Sequence, residues 1–344
     1  LEAAAVSFII TMILTPIAIR LLRDRSIGQF IQDEVDHDHK QGVPTMGGLV
    51  MIIAVVAGWF FGHLDFRSPE GAWQIGFREF QVPGLLVLVA FVGMGFIGFL
   101  DDLSKVRAER NLGLNKRWKF AGQLAIAGLF AWGAIGYGVN TEVSFTRPLG
   151  VDLGWLYVIW VLLMLTATAN AVNLADGLDG LASGSGALVF GAFVIIAFWQ
   201  FRHPEFYGNV GTLELAILSA ALTGTTLGFL WWNAAPARII MGDVGSQALG
   251  GAMAALALLS NTHLLLIVLG GLYVMETVSV ILQVISFRGW GKRIFRMAPI
   301  HHHFEFKGWP ETTIIIRFWI LAALFVVFGL GLFYGDFITN GGVG

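Results

Sequence analysis

Ten long apolar stretches, separated by short polar breaks, dominate this sequence. Each comes near the roughly 20 apolar residues that a helix needs to cross the hydrocarbon core of a bilayer. Charged residues make up only 13% of the chain, against about a quarter in an ordinary soluble domain. The sequence therefore predicts an all-α integral membrane protein built as a bundle of ten transmembrane helices. The predicted spans cover residues 3–22, 46–62, 84–100, 119–137, 153–171, 183–200, 213–231, 243–260, 263–285 and 315–335.

The distribution of lysine and arginine predicts how the bundle lies in the membrane. Seventeen of the 21 basic residues fall in the odd-numbered polar breaks or their flanks. Positive residues are retained on the cytoplasmic side of a membrane. We therefore expect five cytoplasmic loops and both termini on the opposite side. The unusual polar motifs share these loops, which predicts an active-site cleft at the cytoplasmic face.

Composition excludes several other classes of function. The net charge of -2 offers no basic field for nucleic acid, so none is expected as a partner. The chain has no cysteine, which excludes disulfides, thiolate metal sites and a cysteine nucleophile. Leu1 opens an apolar stretch without the pattern of a signal peptide. We find no repeat or soluble domain, so residues 1–344 are interpreted as one transmembrane catalytic domain, with 341–344 as a natural or an added tail.

Carboxylates stand at two predicted span ends on the cytoplasmic side. Asp101 and Asp102 close the third span beside Lys105. Neighbours on a helix point about 100° apart, so one carboxylate can bind a cation while the other faces a different partner. Solvated helix-end charges are the alternative. Asp243 opens the eighth span, where it either caps the helix N-terminus or supplies a ligand to Mg²⁺, which prefers a few carboxylates plus phosphate oxygens.

The segment 170–181 carries polar residues at a spacing of three. A helical path would put them on one face, and Gly177 and Gly180 would let a ligand approach the backbone. The surrounding loop has two acids and no basic residue, which favours a bound cation or donor-rich ligand, although a structural turn remains the alternative. The spaced residues are Asn170, Asn173, Asp176 and Asp179.

Three consecutive histidines lie in the last cytoplasmic loop, between Arg296 and Lys307. The run is internal and too short for an affinity tag. Zinc is disfavoured because successive residues cannot all turn toward one ion, and neither cysteine nor a His-x-x-x-His spacing supports it. Their basic neighbours favour contact with phosphates, while an amphipathic role at the bilayer interface is the alternative. The run comprises His301, His302 and His303.

One acid, Glu276, lies well inside the ninth predicted span. Ionisable groups at that depth are costly and face the interior of a bundle. We therefore expect Glu276 to face inward, either hydrogen-bonded or protonated.

At these motifs the chain resembles the phospho-N-acetylmuramoyl-pentapeptide-transferase family, within the superfamily of polyprenyl-phosphate sugar-1-phosphate transferases. The likeness covers nearly the full length, and the triple histidine followed by Glu305 is its most specific mark. It implies a ten-span enzyme of the bacterial cytoplasmic (inner) membrane with both termini periplasmic. The implied reaction moves phospho-MurNAc-pentapeptide from UDP-MurNAc-pentapeptide to undecaprenyl phosphate, with Mg²⁺ as cofactor and UMP as product. The matching segments are residues 44–48, 101–105, 170–181, 241–246 and 296–305.

The resemblance also implies roles for individual residues. Asp243 is the implied magnesium ligand, while Asp101 and Asp102 are the implied catalytic pair and further candidate ligands. The other implied catalytic groups, near the phosphates, are Lys105, Lys119, His301, His302 and His303. The positions matched to the nucleotide and its sugar are Lys40, Asn173, Asp176, Gly177, Leu178, Asp179 and Asn233. Further substrate-binding candidates from the matching motifs are Thr45, Asn170 and Glu305.

Two positions depart from the family pattern. Leu103 stands where members often have tyrosine, and this change is expected to be neutral. Ile240 stands where some members carry an aromatic residue, so this chain has no ring for base stacking at that position.

Several alternatives remain open at the level of sequence. The polyprenyl phosphate could attack the donor directly, aided by Asp101, or an aspartate could form a covalent intermediate. A related polyprenyl-phosphate HexNAc-1-phosphate transferase is the nearest rival function. A secondary transporter also combines many spans with acids, and a lipid-binding scaffold is a third interpretation. Membrane lipids are expected partners, and a homodimer or other cell-wall enzymes are further candidates.

Overall fold

Helices form where the apolar stretches predict spans. The structure, a computed structural model, describes residues 1–25, 28, 42–67, 74–108 and 113–341. In hydrocarbon a backbone must satisfy its own polar groups, so apolar runs of this length become helices. The helices of the described residues are α1 (Glu2–Asp24), α2 (Gly48–Phe61), α3 (Val82–Arg107), α4 (Lys116–Tyr137), α5 (Leu156–Ala175), α6 (Leu181–Arg202), α7 (Pro204–Tyr207), α8 (Thr212–Asn233), α9 (Gly242–Leu259), α10 (Leu265–Leu269), α11 (Gly271–Trp290), α12 (Ile300–Glu305) and α13 (Glu311–Thr339).

Eight helices in the described ranges are long and apolar enough to cross a membrane, which confirms an integral membrane protein. Two other predicted spans coincide with α2, which has 14 residues, and with α9, which carries Asp243 and Gln247 in its first two turns. The ninth predicted span is interrupted at Gly270, where α10 gives way to α11. The eight qualifying helices are α1, α3, α4, α5, α6, α8, α11 and α13.

Two β-hairpins, which the sequence analysis does not predict, lie at the end of the bundle where α3 and α5 begin; we call this the hairpin end. Strand β1 (Leu64–Arg67) pairs antiparallel with β2 (Gln74–Phe77), and Leu64 lies opposite Phe77. Strand β3 (Glu142–Ser144) pairs antiparallel with β4 (Pro148–Asp152). Each hairpin is formed by a single polar connection between two spans, which is long enough to fold back on itself. Its strands lie outside the apolar helices.

Buried and partly buried polar contacts join the elements at the hairpin end. The carboxylate of Asp336 in α13 accepts hydrogen bonds from Arg147 Nε at 2.8 Å and Nη2 at 3.1 Å, and from Thr146 Oγ1 at 2.8 Å. Between α2 and α8, Glu214 accepts from Trp59 Nε1 at 2.6 Å and lies 2.9 Å from His63 Nε2. These bonds join elements far apart in sequence, at the end of the bundle opposite to the candidate active site described below.

Helix α9 lies at the centre of the bundle, with every residue from Val244 to Leu259 buried. It packs against α3, α5 and α2. Glycines make this approach possible, because an added Cβ on Gly98 would collide with the backbone of Asp243 and one on Gly48 with the backbone of Gly245. Small residues allow membrane helices to come this close. The start of α9 is therefore held firmly between α2 and α3.

Candidate active site

Three carboxylates meet where α3 ends and α9 begins; we call them the carboxylate cluster. Asp101 and Asp102 lie in the last two turns of α3, and Asp243 lies in the first turn of α9. One oxygen of each lies within 4.8 Å of the others. Backbone groups help to hold them, because Val244 N–H donates to Asp102 Oδ2 at 3.2 Å and Leu114 N–H donates to Asp101 Oδ1 at 3.0 Å. The predicted convergence of two distant segments is present.

Two lysines lie within the carboxylate cluster. Lys105 Nζ is 2.7 Å from Asp101, 3.3 Å from Asp102 and 3.3 Å from Asp243. Lys119, in the first turn of α4, is 2.5 Å from Asp243 and 3.7 Å from Asp101. Three carboxylates and two ammonium groups leave a formal charge of one negative, which favours a further cation. Lysines are also the groups that meet phosphates as point charges.

The donor set fits Mg²⁺, which the resemblance implies as cofactor. Magnesium takes hard oxygen ligands and commonly uses one or two carboxylates together with substrate phosphate oxygens. Asp243, with Asp101 and Asp102 beside it, offers such oxygens within 4.8 Å of one another. The nearby lysines offset the repulsion between buried carboxylates, which would otherwise be costly to bring together.

The amide side chain of Asn173 helps to orient Asp243, and a group of buried amides lies near it. Asn173 Nδ2 donates to Asp243 Oδ1 at 2.9 Å and lies 2.8 Å from Ser246 Oγ. Behind this contact, Gln123 Nε2 donates to Gln247 Oε1 at 3.0 Å, and Asn170 Nδ2 donates to Gln123 Oε1 at 3.1 Å. Asn170 is therefore joined through Gln123 to Gln247, which follows Asp243 by one turn of α9. The glutamines did not figure among the sequence-predicted residues, although a polar side chain inside a span is itself a signal of function.

The prediction that residues 170–181 follow one helical path is wrong beyond the end of α5. The helix ends at Ala175, so Asp176 and Asp179 lie in the following turn rather than one and two turns further up a helix. Asp179 Oδ2 accepts from Ala237 N–H at 2.8 Å. Asn233 Oδ1 accepts from Gly180 N–H at 3.1 Å, while its Nδ2 donates to the carbonyl of Ile239 at 3.0 Å. These bonds join the turn to the loop that precedes α9.

The three histidines lie on α12, and each places Nδ1 against a different partner. His301 Nδ1 is 3.0 Å from Glu276 Oε2, and His302 Nδ1 is 2.5 Å from Glu305 Oε2. Glu305, predicted to bind substrate, thus contacts a histidine. His303 Nδ1 accepts from the backbone N–H of Arg296 at 3.0 Å. Partial burial, followed by the charges of Lys307 and Arg296, lowers the pKa of His303 below its ordinary value.

Comparisons with known proteins place this arrangement in a family. A family model described as glycosyl transferase family 4 matches residues 84–261. Phospho-N-acetylmuramoyl-pentapeptide-transferase of Frankia casuarinae is 48% identical over 99% of each chain. The enzymes with this name from Corynebacterium kroppenstedtii and Streptomyces coelicolor are 46% identical over 97% of each chain and 45% identical over 99% of each chain. The chain belongs to the phospho-N-acetylmuramoyl-pentapeptide-transferase family.

Other residues that match motifs of this transferase family lie close to the start of α9 or in the apolar core. Thr45 lies beside Gly242, whose added Cβ would approach the Thr45 hydroxyl. The following Gly48 N–H donates to the carbonyl of Met241 at 2.9 Å, so the segment is bonded to the start of α9. Leu178 is buried in an apolar cluster with Leu181 and Ile314. Lys40 lies outside the described residues, as do 342–344 of the predicted tail.

His301 lies next to the segment 173–179, which the resemblance to the transferase family implies in binding the nucleotide sugar. An added Cβ on Gly177 would collide with His301 Nε2. The space that the sequence analysis assigned to an approaching ligand at this glycine is therefore filled by an imidazole. The pairing of His301 with Glu276 was not foreseen, because the two residues belong to different helices and no sequence spacing relates them.

Proposed function

We propose that this protein transfers phospho-MurNAc-pentapeptide from UDP-MurNAc-pentapeptide to undecaprenyl phosphate and releases UMP. The name and near full-length similarity of its relatives support this reaction. The observation that carries the proposal is the carboxylate cluster with Lys105 and Lys119, placed at one end of an apolar helix bundle. A lipid phosphate and an aqueous nucleotide sugar can meet only at such a boundary.

The chain's charges suit an attack of one phosphate on a diphosphate. Both reactants are anionic, so the reaction depends mainly on positioning and on neutralising charge. Lys105 and Lys119 supply two positive charges at the cluster. Asp243, with Asp101 and Asp102 as further ligands, would hold Mg²⁺, whose charge would polarise the diphosphate oxygens and stabilise the departing UMP.

We propose direct attack by the polyprenyl phosphate. Asp101, which is bonded to the N–H of Leu114 and paired with Lys105, would aid deprotonation or placement of the acceptor phosphate. The alternative is a covalent phosphosugar on Asp101 or Asp102. Incubation with donor alone, followed by mass spectrometry of the intact protein, distinguishes them. A phosphosugar adduct on either aspartate would overturn direct attack.

We also propose that ten helical spans form one catalytic domain over residues 1–344. Helices α2 and α9 would complete the eight long ones: α9 is buried from Val244 to Leu259, and α2 exposes an apolar face, including Ile53 and Phe60, that lipid would cover. Both termini would be periplasmic and the carboxylate cluster cytoplasmic, as the concentration of lysine and arginine near that end supports. The protein would thus lie in the bacterial inner membrane with its donor site facing the cytoplasm.

Release of UMP tests the proposed function. Purified protein with Mg²⁺ and polyprenyl phosphate should release UMP from UDP-MurNAc-pentapeptide, and Asp243→Ala should lower the rate at least about 1,000-fold, as removal of charged active-site groups does elsewhere. The matched control is Asp152→Asn, because this exposed carboxylate lies on β4 at the hairpin end. Absence of UMP release by the native chain, or a preference for a UDP-HexNAc donor, would contradict the proposal. Solute transport without UMP would favour the transporter.

A further inference from the structure

A buried ionisable pair joins α11 to the histidine helix α12. Glu276 and His301 have fully buried side chains, and Glu276 Oε2 lies 3.0 Å from His301 Nδ1. A carboxylate oxygen accepts hydrogen bonds, so a hydrogen atom must lie between His301 Nδ1 and Glu276 Oε2 for the two to be bonded. Among the residues that the structure describes, His301 Nε2 has no hydrogen-bond partner. In the described part of the chain Glu276 Oε1 also lacks a partner, and a buried polar atom without a partner costs about 1 to 3 kcal/mol.

His301 Nε2 lies against Gly177, and the same segment of the chain contacts the carboxylate cluster through Asn173. An added Cβ on Gly177 would collide with His301 Nε2, so the imidazole reaches the backbone only because this residue is glycine. Four positions earlier, Asn173 donates to Asp243 Oδ1 at 2.9 Å. Asn173 lies in the last turn of α5, and Gly177 lies in the turn that follows Ala175. His301 Nε2 and the carboxylate cluster therefore border the same short stretch of chain.

A second buried pair, His63 and Glu214, has all of its polar side-chain atoms hydrogen-bonded and serves as a comparison. At the hairpin end, His63 Nδ1 donates to the carbonyl of Trp59 at 2.8 Å and Nε2 lies 2.9 Å from Glu214 Oε2. The remaining oxygen of Glu214 accepts from Trp59 Nε1. Both imidazole nitrogens and both carboxylate oxygens are thus used. The Glu276–His301 pair uses one atom of each residue, so structural satisfaction alone does not account for it.

We infer that Glu276 is a positioning residue that holds His301 through Nδ1 and keeps Nε2 against the turn after α5, where this nitrogen donates to a phosphate oxygen of the bound substrate, an inference that rests on the proposed function. A phosphate oxygen here accepts hydrogen bonds, so Nε2 must carry a proton for this contact. With Nδ1 also protonated, the ring is positively charged. Glu276 offsets that charge in an interior where an unpaired charge is strongly unfavourable.

Replacing the carboxylate of Glu276 by an amide removes its charge and nearly keeps its shape, so the two contributions can be distinguished. Glu276→Gln retains an acceptor for Nδ1 but removes the negative charge, so the steady-state kcat should fall about 10- to 100-fold, as it does when the hydrogen-bond partner of a metal-ligating histidine is removed. The Michaelis constant for the donor should change less than about threefold, because the contact strengthens as phosphate charge shifts in the transition state. The matched control is Glu214→Gln, which removes the charge of the other buried pair and should leave kcat unchanged.

Thermal unfolding of each variant is measured beside kinetics. Loss of thermal stability in Glu276→Gln with an unchanged kcat would overturn the inference, because the pair would then be structural only. Wild-type UMP release is measured first. Its absence would overturn the proposed function and this inference with it, whereas an active wild type with a fully active Glu276→Gln variant would overturn the inference alone.

A test at His301 itself does not depend on the folding of a Glu276 variant. In His301→Gln the side-chain amide reaches the position of Nε2, while in His301→Asn it reaches that of Nδ1 and can still meet Glu276. We expect His301→Gln to retain at least about tenfold more activity than His301→Asn, as when one transition-state hydrogen bond to a charged group is kept or lost. Adding Glu276→Gln to His301→Gln should cause no further loss, since Glu276 acts through the ring. The reverse ranking, or a further fall in the double variant, would overturn the inference.

Discussion

Lys119 Nζ lies 2.5 Å from Asp243 Oδ2, although the two residues are 124 positions apart in sequence. Lys105 approaches the same oxygen at 3.3 Å. The carboxylate proposed to hold Mg²⁺ is therefore already paired with positive charge. A cation that binds Asp243 must share this oxygen with the lysines or displace them.

Removing Lys119 should separate metal affinity from turnover. In Lys119→Met the carboxylate loses its closest competitor for a cation, so the Mg²⁺ concentration for half-maximal activity should fall several-fold. The kcat should fall at least about tenfold, because one charge that neutralises the phosphates is lost. Initial rates of UMP release over a magnesium titration measure both. Lys292→Met, at an exposed position after α11, is the control; a higher magnesium requirement in Lys119→Met would contradict the competition.

The close approach of α3 and α9 at Gly98 should be intolerant of a methyl group. In Gly98→Ala the added Cβ would collide with the carbonyl of Asp243, so we expect a loss of about 1 to 3 kcal/mol in stability and a lower kcat from displacement of Asp243. Gly128→Ala in α4 is the matched control, because an added Cβ there meets no atom within 4 Å. Thermal unfolding in detergent and UMP release check the pair. Equal behaviour of the two variants would show that the helices can separate without consequence.

The contact between Arg147 and Asp336 should contribute stability without affecting catalysis. Arg147→Met removes two hydrogen bonds at the hairpin end, and its side chain is 36% exposed. We therefore expect a loss of only about 1 kcal/mol or less and an unchanged kcat. The charge swap Arg147→Asp with Asp336→Arg should recover part of the loss. A fall in kcat in the single variant would indicate coupling between the two ends of the bundle.

Acid should loosen the loop at His303. Its Nδ1 accepts from Arg296 N–H, so protonation removes this bond. Because the pKa of His303 is lowered by burial and by Lys307 and Arg296, the contact is fully present above the unfolded value of about 6.5. It is lost as pH falls through the lower folded pKa. Hydrogen exchange at the Arg296 amide, corrected for the intrinsic rate, should accelerate over that range, whereas His303→Asn should keep an acceptor that does not titrate. Equal acceleration in both proteins would exclude titration of His303 as the cause.

Local sequence features were sufficient for the helices and for part of the site. Long apolar runs force the backbone into helices in lipid, which is why nine of the predicted spans each coincide with one helix and the ninth in order with two, α10 and α11. The polar motifs at span ends predicted that Asp101, Asp102 and Asp243 share one end. Their spacing within 4.8 Å follows from glycines such as Gly98, whose role in helix approach was anticipated only in general terms.

Features that depend on contacts between distant residues were not predictable from a single sequence. The end of α5 at Ala175 breaks the expected helical ladder because the next turn bonds to Glu311 and to the 234–240 loop. The spacing of three is compatible with either path. Likewise nothing local relates Glu276 to His301, or Lys119 to Asp243. These contacts arise from the way the helices are arranged in the bundle.

The enclosed position of α9 limits how this protein can change. Residues at its start cannot grow without striking α2 or α3, and Asp243 is fixed by an amide on a third helix. A small molecule that engaged the carboxylates themselves would therefore meet a surface with few tolerated substitutions. Resistance would have to arise in the surrounding loops, where side chains can vary without disturbing the central helix.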